Sequence, residues 1–170
     1  RHLFTWHPEI QYADYYERAL YNGILPTQHP ENNMMMYYVA AASGFYKTFM
    51  TPLNSFWCCT GTGMENHAKY GDSIYFHNQD QLFVNLYIAS ELNWREKNLT
   101  LRQETRFPEE EQASFIIGTN SPQELTVYFR IPGWVKSRAR LSINGREQNI
   151  TAKGGSYLAL SRTWKNGDRI

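Results

Sequence analysis

Leu82-Phe83-Val84-Asn85-Leu86-Tyr87-Ile88 decides the fold, because the hydrophobic period of the chain changes there. Leu82, Val84, Leu86 and Ile88 alternate with Phe83, Asn85 and Tyr87, the period of two of a strand with one buried face. Downstream, Leu99 and Leu101 alternate with polar residues, and Phe115-Ile116-Ile117 is a short apolar run. Leu125, Val127, Phe129 and Ile131 alternate with Thr126, Tyr128 and Arg130. Leu141 and Ile143 lead into Asn144-Gly145, a dipeptide that favours a two-residue hairpin. Tyr157-Leu158-Ala159-Leu160 closes the series. Short period-two segments separated by turns predict an antiparallel β-sandwich over residues 79–170.

Residues 1–78 read as helical. Ile10, Tyr12 or Ala13, Tyr16, Ala19 and Leu20 fall near one face, and Asn22-Gly23 suits a C-cap, so a helix is expected over Ile10–Asn22. Leu25 to Asn33 carries Pro26 and Pro30 and reads as a loop. Met34 to Tyr46 is apolar without a clear period, so strand, helix and irregular buried stretch all remain open; Met34-Met35-Met36 reads as flexible core filling. Thr62-Gly63-Met64-Glu65 fits a capping box, with Thr62 as N-cap and Glu65 reaching back, and predicts a helix from about Gly63 to Phe76. Glu109-Glu110-Glu111 reads as a solvated loop tip.

A formal net charge of +1 gives no argument for nucleic acid or an anionic membrane as partner. No apolar run approaches the ~20 residues of a membrane span. The chain opens on Arg1-His2-Leu3-Phe4 and stops at Asn166-Gly167-Asp168-Arg169-Ile170, where a turn should feed another strand. It therefore reads as an internal fragment of a longer protein.

The only two cysteines are adjacent, Cys58 and Cys59. Neighbouring Cα atoms lie about 3.8 Å apart, less than the roughly 4.4–6.8 Å of a relaxed disulfide, so a structural staple is a poor explanation. Two readings stay open: a pair of small buried hydrophobes, or thiols that react or hold a soft metal. A helix starting just after them would turn its positive end towards them and favour thiolate. Zinc suits thiolate but takes three or four protein ligands, so the pair supplies at most half a site.

Cys58-Cys59-Thr60-Gly61-Thr62-Gly63-Met64-Glu65-Asn66-His67-Ala68-Lys69-Tyr70 resembles the active-site signature of the β-L-arabinofuranosidase group, glycoside hydrolase families 127 and 146. Tyr12-Ala13-Asp14-Tyr15-Tyr16-Glu17-Arg18-Ala19-Leu20-Tyr21-Asn22 resembles a second signature of that group, in the same order. The resemblance implies that residues 1–78 are the last helices of an (α/α)6 catalytic barrel and residues 79–170 most of the following β-sandwich. It also implies a retaining glycosidase of bacterial plant-glycan degradation, in which a zinc-bound cysteine replaces the usual carboxylate nucleophile. Cys58 would be nucleophile and zinc ligand, Cys59 a second ligand, Glu17 a carboxylate bonding sugar hydroxyls, and Tyr38 an active-site tyrosine, with Tyr37 an equal candidate. Glu65 and His67 are supporting candidates beside that site; capping would explain Glu65, and helix neighbours His67. The family's Glu-x-Cys ligands and its Glu general acid/base precede these segments and have no counterpart here, so the isolated fragment is expected to be inactive.

Two further readings compete with the enzyme fragment. One is a non-catalytic carbohydrate-binding module, with the β-sandwich and aromatic side chains as platform. The other is a structural zinc module. The cysteine turn favours the enzyme, since a binding module needs no thiolate pair and a structural zinc needs four closed ligands. The expected partners are a carbohydrate substrate and the missing N-terminal part of the same barrel. The expected location is periplasmic or secreted.

Overall fold

The computed structural model describes residues 1–55 and 57–170. They divide into two compact units, Arg1–Asp14 with Ser73–Ile170, and Tyr15–Asp72. Helix α2 (Ile10–Ala19) spans the division.

In the first unit, β1 (Tyr75–His77), β2 (Gln81–Val84), β6 (Gln123–Ile131) and β9 (Ser156–Trp164) form a sheet in the order β1-β2-β6-β9. A second sheet holds β3 (Ser90–Trp94), β4 (Leu99–Thr105) and β5 (Ala113–Thr119), in that order. Both sheets turn alternate residues into one core: Leu82 and Val84, Leu99 and Leu101, Phe115 and Ile117, Leu125, Val127 and Phe129, Leu158 and Leu160. The period-two segments therefore do form a strand-rich unit with a shared core. The expectation of a purely antiparallel arrangement is corrected at one place, because β2 pairs with β6 in parallel. The reason is topological: β3, β4 and β5 lie between them in sequence, and a connection of that length lets β6 return in the same direction.

The hairpin signal forms as read. β7 (Ser142–Ile143) and β8 (Arg146–Glu147) flank Asn144 and Gly145, both at positive φ, 52° and 77°. Residues after Gly167 run antiparallel to β5, with Ile170 N–H donating to Phe115 O and Phe115 N–H to Ile170 O, each at 2.9 Å. On the other face of the four-stranded sheet, Phe83, Tyr128 and Tyr157 pack with Phe4 of α1 (His2–Trp6) and with Tyr12 and Ala13 of α2. Residues 1–14, although they precede position 78, thus pack on the strands. Arg130 projects from this face fully buried; its guanidinium donates to Asn85 O at 2.6 Å and to Asp14 Oδ1. Asp14 also accepts from Gly133 N–H, and a Cβ on Gly133 would come within 2.7 Å of Asp14 Oδ2.

In the second unit, α2 ends at Ala19, not Asn22, and the chain continues through a wider helical turn, Leu20–Ile24, and a tight one, Leu25–Thr27. Asn22-Gly23 does not terminate it, because the residues around it keep helical backbone: Gly23 is not at positive φ, and Leu25 is right-handed at φ −54°, ψ −43°. Met34–Tyr46 is irregular extended chain, tied by isolated bridges Gln28↔Met35 and Met36↔Phe49. Met35, Met36 and Met50 are buried, as core filling requires.

Candidate active site

Helix α3 (Cys58–Ala68) begins on the cysteines themselves, not four or five residues after them. Trp57 is the N-cap, extended at φ −93°, ψ 165°, and its carbonyl accepts from Thr60 N–H at 2.9 Å. The capping box is thereby corrected. Thr62 lies inside the helix, and Glu65 does not reach back but pairs with Lys69 one turn on, at 3.7 Å and exposed. The helix also stops at Ala68, before the expected Phe76, and Tyr75 to His77 form β1. The extended Trp57 starts the helix early; Thr62 and Glu65 therefore find their backbone partners already used.

Placing Cys58 and Cys59 in the first turn strengthens the electrostatic argument, because the N–H groups of that turn have no intrahelical acceptor. Both cysteines are free and exposed, with sulfurs 3.9 Å apart. The Tyr37 hydroxyl lies 3.7 Å from the Cys58 sulfur. Tyr37 and then Cys59, as hydrogen-bonding neighbours, hold the Cys58 thiol below the usual range, against a smaller opposing effect of burial. Hydrogen bonding to Cys59 and then to Cys58 pushes the Tyr37 hydroxyl up, and charge on the two sulfurs adds to the effect. Sulfurs on one tetrahedral zinc at about 2.3 Å stand about 3.8 Å apart, so the observed separation suits two corners of such a site. Among the described residues no group of three or more His, Cys, Asp or Glu side chains is arranged to hold a metal.

The other candidates are placed as follows. Tyr37 meets Cys58, and Tyr38, 80% exposed, packs edge-on against Tyr37 with ring centroids 4.5 Å apart. Trp57 is a second ring partner of Tyr37, edge-on with centroids 5.2 Å apart. Glu17 is a buried carboxylate on α2, 4% exposed. Glu65 lies on the Cys58 face of α3, but seven residues on, about 10 Å along the axis, too far for contact. His67 is bound to its own helix, with Nδ1 2.8 Å from Gly63 O and its ring against Tyr70 at 5.2 Å. Tyr37 over Tyr38 was not separable in sequence, because the irregular stretch that carries them has no period to say which side chain turns to the thiols. The Asp14–Arg130 pair gave no sequence signal either; its partners are 116 residues apart.

Two family models match the chain. One, described as the catalytic domain of GH127 β-L-arabinofuranosidase, matches residues 1–72, and the other, its middle domain, matches residues 81–170. Among solved structures the chain is similar to a glycoside hydrolase at 26% identity and TM-score 0.82, covering 98% of this chain and 29% of that one. It is similar to a GH127 β-L-arabinofuranosidase from Geobacillus stearothermophilus T6 at 26% identity and TM-score 0.77, covering 99% of this chain and 28% of that one. A GH127 β-arabinofuranosidase matches at 28% identity and TM-score 0.80, covering 98% and 29% respectively. The chain thus spans under a third of the length of the structures it matches. No curated protein sequence matches it.

Proposed function

The chain belongs to the GH127 β-L-arabinofuranosidase family, and on that premise we propose that it carries the nucleophile and half the metal site of a retaining glycoside hydrolase. The substrate is an L-arabinofuranosyl group of plant glycans, and the setting is the periplasm or the outside of a bacterium. The carrying observation is the cluster of the Cys58 sulfur, the Cys59 sulfur at 3.9 Å and the Tyr37 hydroxyl at 3.7 Å, at the start of α3. Zinc, held by Cys58 and Cys59 and by ligands outside these 170 residues, would keep the sulfur ionised at neutral pH. The Cys58 sulfur attacks the anomeric carbon, and the glycosidic oxygen leaves with a proton from a carboxylic acid outside this chain. Water then displaces the sulfur from the opposite face, and two inversions give retention. The Tyr37 hydroxyl donates to the sulfur while it carries charge and steadies it again when it leaves the sugar. Glu17 and Tyr38 contact sugar hydroxyls. In this reading α2 and α3 belong to the last helices of an (α/α)6 barrel, whereas Tyr75–His77, within the span 1–78 read as helical, is a strand of the sheet.

The test is made on the full-length protein. Zinc near one per chain, lost in Cys58→Ala together with release of L-arabinose from an aryl β-L-arabinofuranoside, supports this reading. Zinc-free protein with unreactive cysteines, or full turnover in Cys58→Ala, overturns it.

A further inference from the structure

The start of α3, Cys58-Cys59-Thr60-Gly61-Thr62-Gly63, is composed of residues with low helix propensity. Apart from Gly61's own chain neighbours and helix backbone, no described atom lies within 4 Å of where a Cβ on Gly61 would sit, so no neighbouring side chain clamps the turn there. Thr60 is anchored, its N–H on Trp57 O at 2.9 Å and its hydroxyl on Met50 Sδ at 2.8 Å. The two cysteines before it are exposed, free and 3.9 Å apart at sulfur, and as first helical residues their N–H groups have no intrahelical acceptors to lose.

We propose that Cys58 and Cys59 form an oxidation-labile dithiol, which a hydroperoxide closes to a reversible vicinal disulfide. The Cys58 thiolate attacks one peroxide oxygen and the O–O bond breaks, giving a sulfenic acid and hydroxide. The Cys59 sulfur then attacks the Cys58 sulfur, the S–O bond breaks and water leaves. Overall two thiols lose two protons and two electrons, and hydrogen peroxide becomes two waters. Bridging neighbours only about 3.8 Å apart at Cα strains the ring, and strained, exposed disulfides are readily reduced by thiols. The cost of closure falls on the first turn, where the helix is weakest. The consequence for catalysis, masking of the nucleophile and loss of both zinc-binding sulfurs, rests on the function proposed above; the thiol chemistry does not.

The 170-residue chain has no other cysteine, but its five methionines also take up oxygen from peroxide, so mass is read on the peptide that carries Cys58 and Cys59. In metal-free chain treated with hydrogen peroxide, the Cys58–Cys59 pair should lose two hydrogens, apart from any oxygen gained at methionine, and fall from two titratable thiols to none, and dithiothreitol should restore both. In Cys59→Ser, dimedone should trap a sulfenic acid at Cys58. A covalent dimer, gain of two or more oxygens at one sulfur, or two thiols surviving peroxide would overturn the proposal. If the bridge forms but the full-length protein binds no zinc, the proposed function fails and this inference stands.

Discussion

The Tyr37 hydroxyl acts on Cys58 through a single contact, so its removal is a clean test of that contact. Without the donor the Cys58 thiol rises towards its ordinary range, and less of it is ionised at pH 7. In metal-free protein, Tyr37→Phe should slow iodoacetamide labelling of Cys58 by about twofold or more, while Tyr38→Phe leaves it unchanged, because Tyr38 touches Tyr37 and not the sulfur. Equal slowing in both variants, read by peptide mass spectrometry, would contradict the assignment. Arg130 is the other decisive residue. It is fully buried, and its cost of desolvation is offset by Asp14, Asn85 O and the surrounding polar groups. Removing Arg130 leaves Asp14, 22% exposed, and Asn85 O without this donor, so Arg130→Met should lower stability by about 1–3 kcal/mol in urea denaturation. A loss under about 1 kcal/mol would mean that Asp14 finds water instead.

At the scale of elements, the strands were legible and the helix ends were not. Leu125 to Ile131 and Tyr157 to Leu160 read as strands because the same alternation that marks them in sequence buries them in the core. The start of α3 was misread because a capping box is a local pattern, whereas Trp57 fixes the start through its extended backbone. The parallel β2–β6 pairing depends on where two sheets cross over, which no single strand records. The end of the chain is held by side chains as well as ladder bonds: Asn144 Nδ2 donates to Asp168 Oδ1 at 2.7 Å, and Lys165 N–H to Asp168 Oδ2 at 2.8 Å. Burial alone would raise the Asp168 carboxyl, but these hydrogen bonds and the Arg162 and Lys165 charges hold it below 3.8. A carboxyl lower in the folded than in the unfolded chain stabilises fully above the unfolded value and loses that contribution as pH falls through the folded one. Between pH 5 and pH 2 the Asp168→Asn variant should therefore lose less stability than the parent sequence. Parallel acid limbs in thermal melts would show that Asp168 is not part of the acid response.

Across the whole molecule the apolar burial is uneven, and that decides where the chain opens first. Sixteen buried residues make one core of the strand unit, with a second small cluster on its other face. Tyr15–Asp72 buries Leu20, Met35, Met36 and Met50, yet leaves Tyr15, Tyr38, Val39, Phe45, Tyr46, Leu53, Trp57 and Met64 exposed. Opening free energy follows buried apolar contact, so the two units should not share one stability. In hydrogen exchange on this chain, amides of β4, β5, β6 and β9 should be the most protected, and those of α3 and of residues 34–50 should exchange at least about tenfold faster. The same unevenness bears on the cysteines, since a site on a marginal element needs outside support to hold sulfurs within a few tenths of an ångström of metal geometry. The measurement that joins the two is exchange in the full-length protein with and without a zinc chelator. If α3 amides gain protection in the full-length protein and lose it on chelation while β6 and β9 do not change, the metal steadies the weak unit. Uniform protection in both states would show that α3 is rigid on its own, and that Cys58 owes its placement to the helix and not to bound metal.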